Sequence, residues 1–253
     1  IMRIVAYIMA KNEESNIEDS VKNLMWCDEV IVADTGSTDN TKEVARKLGA
    51  SVISLPFAGF GKTRNMIVEK IQADWIICFD ADEICTEELA AELKKEIALG
   101  RFQAFRAPRQ TFLLGKPIKH SGWYPDLRHP VAFRKDCAKY DERNVHEALI
   151  VKGNIKTLDN RFFHYSNKTL LSYISKSIRY ADMGARELAK RREKKITRFT
   201  AVSHGVLRFL RHYFLKLGFL DGWSGLVIAA TASYGTFVKY ALAIEYQKEV
   251  NEN

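Results

Sequence analysis

The sequence predicts an α/β protein, a mostly parallel sheet with helices on both faces followed by an α-helical C-terminal region. Three observations carry that prediction. Residues 1 to about 100 alternate short apolar runs with amphipathic stretches, the pattern of strands joined by crossover helices. From about residue 103 to 165 the pattern changes to short strands and polar loops, and beyond Tyr165 it is helical to the end. At 253 residues, 47% apolar and 28% charged, the chain can build a sizeable core and is not disordered as a whole. We expect three segments, 1–100, 101–166 and 167–253.

In chain order, strands are expected at 3–8, 29–34, 50–55 and 74–80, with helices at 16–25, 40–48, 62–71 and 87–99. Ser15 with Glu18 makes a capping box for the first helix, Thr38 or Asp39 caps the second, and Thr86 caps the fourth. Later strands are expected at 103–108, 131–134, 147–151 and 161–165, where aromatic residues, histidines and an Asp in irregular segments point to a binding surface.

Residues 186–216 carry ten Lys or Arg against Glu187 and Glu193, a surplus of +8 that equals the net charge of the whole chain. Such a run on a helix is a solvated face, a nucleic-acid footprint or a contact for anionic lipid. Residues 222–238 then hold no charge, and 17 residues lie at the bottom of the membrane-spanning range. We expect them to lie in a membrane interface or to cover the domain as a hydrophobic hairpin, with Trp223, Tyr234 and Tyr240 as interface aromatics. A buried C-terminal helix pair is the plain structural alternative. Cys27, Cys78, Cys85 and Cys137 are scattered and form no Cys-x-x-Cys pair, which argues against a zinc knuckle or disulfide framework and for a reducing cytosol. The first residues read as a strand rather than a secretory signal, so a cytoplasmic protein is expected.

The motif with most chemical content is Asp80-Ala81-Asp82-Glu83, directly after the apolar run 75–79. In open α/β sheets ligands bind beyond the carboxyl ends of the strands. On an extended segment Asp80 and Asp82 point to one side with Ala81 turned away, and two hard oxygen ligands suit Mg²⁺ or Mn²⁺ on a substrate phosphate. An acidic strand-to-helix loop is the bland reading, and neighbouring motifs decide between them. After the second strand comes Asp34-Thr35-Gly36-Ser37-Thr38-Asp39. Asp34 can accept a base N–H or a ribose hydroxyl, and Gly36 permits close backbone approach. The first strand supplies Lys11-Asn12-Glu13-Glu14 at the equivalent sheet end, where Glu13 or Glu14 can sit beside the same nucleoside. Residues 56–63 end like a P-loop, but Pro56 stands where that loop needs Gly, so it is rejected. Arg64 and Asn65 instead open a helix, where Arg64 can pair with a phosphate or brace the acidic loop.

Taken in order and spacing, Lys11-Asn12-Glu13-Glu14, the Asp34 to Asp39 loop, Arg64-Asn65 and Asp80-Ala81-Asp82-Glu83 resemble glycosyltransferase family 2 over residues 1 to about 100. The resemblance implies a GT-A, Rossmann-like fold in which 1–100 binds a nucleotide sugar and 101–166 binds the acceptor. It also implies the roles: Asp34 on the base, Arg64 on the nucleotide region, Asp80 and Asp82 on the ribose and a divalent cation. The expected donor contacts are Asn12, Glu13, Glu14, Asp34, Gly36, Ser37, Arg64, Asp80 and Ala81, and the expected metal ligands are Asp80, Asp82 and His164. The chain departs from many relatives at Thr35, where they have a second Asp.

Further on, Gly122-Trp123-Tyr124-Pro125-Asp126 with Arg128, then Asn144-Val145-His146-Glu147, then Phe163-His164-Tyr165, resemble the bacterial enzymes that add a glucose-type sugar to the lipopolysaccharide inner core. That resemblance implies UDP-glucose as donor and a lipid-linked saccharide as acceptor. Sugar transfer needs a cation to neutralise the leaving diphosphate and a carboxylate to take the acceptor proton, and a single base gives inversion. Glu147 is the candidate base and Asp126 the runner-up. The expected setting is an anionic membrane surface at the inner face of the cytoplasmic membrane, with no nucleic acid as partner. The alternatives are a sugar-phosphate nucleotidyltransferase, against which the acidic loop after the first strand argues, and a non-catalytic membrane or nucleic-acid binder using 186–216.

Overall fold

The computed structural model describes residues 2–127, 130–141, 148–167, 169–191 and 196–252. The first half alternates as the sequence predicts: β1 (Ile4–Ala10), α1 (Ile17–Lys22), β2 (Glu29–Asp34), α2 (Thr41–Lys47), β3 (Ser51–Ser54), α3 (Phe60–Lys70) and β4 (Trp75–Asp80). Then follow β5 (Glu83–Cys85), α4 (Glu87–Leu99), β6 (Ala104–Arg106), β7 (Arg109–Leu113), β8 (Lys116–Pro117), β9 (Pro130–Arg134), β10 (Ala138–Tyr140), β11 (Leu149–Val151), β12 (Ile155–Thr157) and β13 (Phe162–Asn167). The C-terminal helices are α5 (Leu170–Arg191), α6 (Arg198–Leu210) and α7 (Gly222–Glu252).

The chain divides into two compact units, Ile1–Gln110 with Asp126–His164, and Thr111–Pro125 with Tyr165–Asn253. In the first, seven strands form one sheet in the order β12-β6-β9-β4-β1-β2-β3. Strands β3, β2, β1 and β4 run parallel, β9 is antiparallel to both β4 and β6, and β12 is parallel to β6. The period-2 pleat sorts β1 between two cores: Ala6, Ile8 and Ala10 face one, Val5 and Tyr7 the other. Ile17 and Val21 of α1 and Leu89, Leu93 and Ile97 of α4 cover the first face, and Ile67 of α3 covers the second. Both faces are therefore dry, and each fully buried Ile, Leu or Phe contributes about 1.5–3 kcal/mol.

Several local expectations are corrected. The Ser15–Glu18 capping box does not form: Asn16 is the N-cap without a side-chain bond, and Glu18 instead pairs with Lys22 at 2.6 Å, four residues on. α2 likewise has Asn40 at its N-cap, while Asp39 accepts the Thr41 amide at 3.1 Å. Thr86 does cap α4, accepting the Leu89 amide at 3.2 Å, and Gly100 ends that helix in the left-handed conformation. α3 starts at Phe60, two residues before its expected start, because Gly59 at φ 95 turns the chain into it. Five short strands, β5, β7, β8, β10 and β12, were not expected from the sequence pattern.

In the second unit α7 packs along both α5 and α6. The expected hydrophobic hairpin at 222–238 is absent, since those residues are the first half of one 31-residue helix. Asp221 anchors the start of that helix: its carboxylate accepts from the amides of Lys119 and His120 and from the Ser121 hydroxyl. Leu113, Ile118, Val227 and Ile228 close a small core there, with Trp123 edge-on to Tyr173 at 5.8 Å.

Candidate active site

The carboxyl ends of β1, β2 and β4 lie side by side, and each releases a polar loop. The first two loops are laced together. Asn12, in the left-handed region at φ 58, accepts the Thr38 amide at 2.8 Å, and its own amide donates to Ser37 Oγ at 2.9 Å. Glu14 accepts from the Asn40 amide and side chain, Glu13 donates its amide to Thr41 Oγ1, and the Glu13 carboxylate accepts from Asn16 Nδ2 at 2.6 Å. Asp34 is buried, and its carboxylate accepts the amides of Gly36 and Ser37, with Gly36 at φ 105 making the turn. Asn12, Glu13, Glu14, Asp34, Gly36 and Ser37 thus come together, as a loop pair held by mutual hydrogen bonds.

The acidic loop is held from below. β4 ends at Asp80 and Ala81-Asp82 form a turn into β5, so the extended geometry expected for Asp80-x-Asp82 stops at its first residue. Ala81 is buried and its carbonyl accepts from Ser20 Oγ at 2.6 Å. Asp80 receives Nη2 of the buried Arg64 at 2.7 Å. The other guanidinium nitrogen of Arg64 donates to the Tyr7 hydroxyl at 3.2 Å, and Tyr7 shares a 2.9 Å hydrogen bond with the Tyr140 hydroxyl. Desolvation is the largest single influence on Arg64 and opposes its charge, but Asp80 together with Tyr7, Tyr140 and Cys78 outweighs it, so the guanidinium stays charged. Asn65 completes the brace by exchanging two hydrogen bonds with the Tyr140 backbone, at 2.9 and 3.0 Å.

Asp82 follows in the same turn, with His164 Nε2 at 3.4 Å from its Oδ2, positioned by pairing of β13 with β5. Glu83 is buried, accepts the Asp80 amide at 3.0 Å and lies 3.5 Å from Arg109 Nη1. Burial pushes the Glu83 carboxyl up to about 7, the Asp80 and Asp82 charges add to the rise, and His164 opposes it. The far side of the Arg109 guanidinium pairs with Asp126. Arg64, Asp80, Glu83, Arg109, Asp126 and Tyr140 line one cavity of about 140 Å³, with Phe79, Val131 and Phe162 as its apolar wall. Glu147, with Asn144, His146 and Arg128, lies outside the described residues.

Sequence reasoning gave no role to Arg109, Tyr7 or Tyr140. Arg109 was legible only as a lone cation after Pro108 in a polar stretch, and Tyr7 sits in an apolar strand where its hydroxyl gives no signal. Among the described residues no group of three or more His, Cys, Asp or Glu side chains forms a ready metal cage. The carboxylates of Asp80 and Asp82 on this turn are oxygen donors of the kind Mg²⁺ and Mn²⁺ take, ions that complete their shells with water and phosphate oxygen, and His164 Nε2 lies beside Asp82.

An open, mostly parallel sheet with an acidic loop at the carboxyl end of a central strand defines an α/β enzyme whose ligand crevice lies outside those strand ends. The model of Glycosyl transferase family 2 matches residues 6–146, more than half of the sequence, and the chain belongs to that family. It is a glycosyltransferase. Among its relatives, an uncharacterized glycosyltransferase of Rickettsia felis is 28% identical over 94% of this chain and 88% of that protein. The lipopolysaccharide core biosynthesis glycosyltransferase LpsC of Rhizobium meliloti is 24% identical over 93% of this chain and 90% of its own length. Among solved structures, glucosyl-3-phosphoglycerate synthase of Mycobacterium tuberculosis with Mn²⁺, UDP and glucosyl-3-phosphoglycerate aligns at 26% identity and a TM-score of 0.38, over 43% of this chain and 44% of that one.

Proposed function

We propose that this glycosyltransferase moves a hexose, glucose in the first instance, from a UDP-sugar to a lipid-linked saccharide of the lipopolysaccharide core, with inversion at the anomeric carbon. The observation that carries the reading is the acidic turn after β4, braced by Arg64 on one flank and Arg109 on the other. The length-wide similarity to LpsC supports the acceptor class.

The loop pair formed by Asn12 to Glu14 and Asp34 to Ser37 holds the nucleoside, with Asp34 fixing the turn that meets it. Asp80, Asp82 and His164 would hold a divalent cation, Mn²⁺ or Mg²⁺, which when bound supplies positive charge to the donor diphosphate. Arg64 fixes the direction of the Asp80 carboxylate, so the site is organised before the donor arrives. Glu147 takes the acceptor proton; the ion pair that Asp126 makes with Arg109 supports a positioning role for Asp126 rather than that of base. With one carboxylate taking its proton, the acceptor oxygen attacks the anomeric carbon as the bond to the leaving UDP breaks, a direct displacement.

The test is a melting screen of nucleotide sugars with and without Mn²⁺, followed by transfer assays on truncated core acceptors. A UDP-hexose should raise the melting temperature only when Mn²⁺ is present. No shift with any nucleotide sugar would remove the reading.

A further inference from the structure

Within the second unit α6 and α7 meet through small residues. Ala201 and Gly205 of α6 are buried, Ser233 Oγ of α7 donates to the Gly205 carbonyl at 2.8 Å, and a Cβ on Gly205 would lie 3.3 Å from Phe237 Cβ. The large apolar residues of α6 lie elsewhere on the helix. On a helical wheel Phe199, Val202, Val206, Leu207 and Leu210 share an arc of roughly 140°, and all five are exposed, Phe199 by 80%. The segment that follows continues the exposure, with Leu215 at 78% and Trp223 at 65%. On α7, Trp223, Ala230, Tyr234 and Phe237 fall on a single stripe, also exposed. A groove of about 460 Å³, walled by Val202 and Val206 on one side and Tyr234 and Phe237 on the other, joins the two stripes into one apolar face.

A soluble monomer rarely leaves such a face uncovered, and its charges indicate what covers it. Between Thr197 and Leu220 the chain has four cations, Arg198, Arg208, Arg211 and Lys216, and no Asp or Glu. All four cations are exposed. Arg198 and Arg211 fall beside the two edges of the apolar arc, where long side chains can keep their charge in the headgroup layer while their stems lie on apolar surface. The nearest carboxylate in sequence, Asp221, is bonded to the amides of Lys119 and His120. Across a two-fold contact with a second copy the cations would meet like charge. An anionic bilayer meets them with opposite charge, and Trp223 and Tyr234 are residue types that favour its interface.

We propose that α6, the turn after it and the exposed stripe of α7 form a face that seats on an anionic phospholipid bilayer. The apolar side chains enter the boundary between headgroups and acyl chains, and Arg198 and Arg211 at the edges of the face stay among the phosphates. This stands independently of the sugar-transfer reading. α7 is long and apolar enough to cross a membrane by length and composition, but Val227, Ile228 and Ala229 on its other face are buried in the protein.

The experiment is vesicle co-sedimentation of the full chain, with phosphatidylcholine alone and with about 30% phosphatidylglycerol added. The protein should sediment with the anionic vesicles at least about tenfold more tightly than with the neutral ones, and high salt should release it. The double variant Phe199→Glu, Leu215→Glu should stay in solution with an unchanged melting profile, since both side chains are exposed. Independently of any variant of the face, brominated lipid in anionic vesicles should quench wild-type tryptophan fluorescence, and Trp223→Phe should remove that quenching. Wild-type protein left in the supernatant, equal binding by the double variant or unquenched Trp223 would each overturn the proposal. So would a dimer that the double variant dissociates, which gives the face to a second copy, or retention through high salt and alkaline carbonate, which makes α7 a span.

Discussion

Arg64 holds Asp80 at 2.7 Å, with the guanidinium side chain only 11% exposed and the carboxylate 42% exposed. The arginine is therefore part of the protein interior and the aspartate part of the crevice. One end of the pair is fixed by the Tyr7 and Tyr140 hydroxyls, so the direction of the Asp80 carboxylate is decided before any ligand binds. Arg64→Lys keeps the charge but not the planar fork that reaches Asp80 and Tyr7 together. It should lower transfer by about tenfold, equivalent to about 1.4 kcal/mol of transition-state stabilisation, while the protein still folds. Initial-rate measurements check this, and unchanged turnover in the lysine variant would remove the bracing role.

Asp82 and His164 share one side of the acidic turn, and their roles separate by metal titration. Asp82→Ala should lose Mn²⁺-dependent transfer altogether with its melting temperature close to wild type. His164→Ala should stay active at saturating Mn²⁺ but need about 10-fold or more metal for half-maximal rate, the size of effect seen when a ligand or its support is removed. A wild-type metal requirement in the histidine variant would take His164 out of the metal site.

The two candidate bases make opposite predictions. Glu147→Gln should keep the donor-induced rise in melting temperature and stop transfer. Asp126→Asn removes the partner of Arg109, whose other neighbour is the buried Glu83. It should destabilise by about 1–3 kcal/mol and slow transfer only in proportion to the misplaced acidic turn. Full activity in the Gln variant with none in the Asn variant would transfer the base to Asp126.

Much of the parallel half was legible because its physics is local. β2 lies at 29–34 and α4 at 87–99 as expected, since an apolar run between turn residues and a 3.6-residue stripe behind Thr86 each mark their own ends. The capping box failed for an equally local reason: α1 takes Asn16 rather than Ser15 as its N-cap, which moves Glu18 off the third helical position. The second half was harder. β5, β8, β10 and β12 have two or three residues each, too short to show a period, and their register comes from partners far along the chain. At the site, residue types and positions were readable for Asp80, Asp82 and Arg64, but Arg109 between Glu83 and Asp126 is a tertiary fact. Nothing in the spacing of residues 83, 109 and 126 encodes it.

Thr86 offers a clean stability test away from the chemistry. Its hydroxyl oxygen accepts the Leu89 amide at 3.2 Å and its proton goes to the Arg161 carbonyl at 2.9 Å. Thr86→Ala leaves the first turn of α4 without its side-chain acceptor and should cost about 1 kcal/mol, read as a lower midpoint in urea with unchanged slope. A midpoint equal to wild type would mean that the cap is replaced by solvent.

His212 gives the second unit a pH dependence whose sign can be worked out. Its Nδ1 lies 2.9 Å from the Ser121 carbonyl, and the residue is half-buried within the segment that follows α6. Burial lowers its pKa below the ordinary 6.5, the Ser121 hydrogen bond opposes the shift, and Arg208, Arg211 and Lys216 push it further down. The unfolded chain therefore takes up a proton at higher pH than the folded one. The contribution to stability is complete above about pH 6.5 and is lost as pH falls through the depressed folded value. Melting temperature should fall as the buffer is taken from pH 7 toward 5.5, before most carboxylates titrate. His212→Gln cannot take up that proton, so its melting temperature should be flatter over the same interval. Parallel pH slopes in wild type and variant would assign the titration to another group.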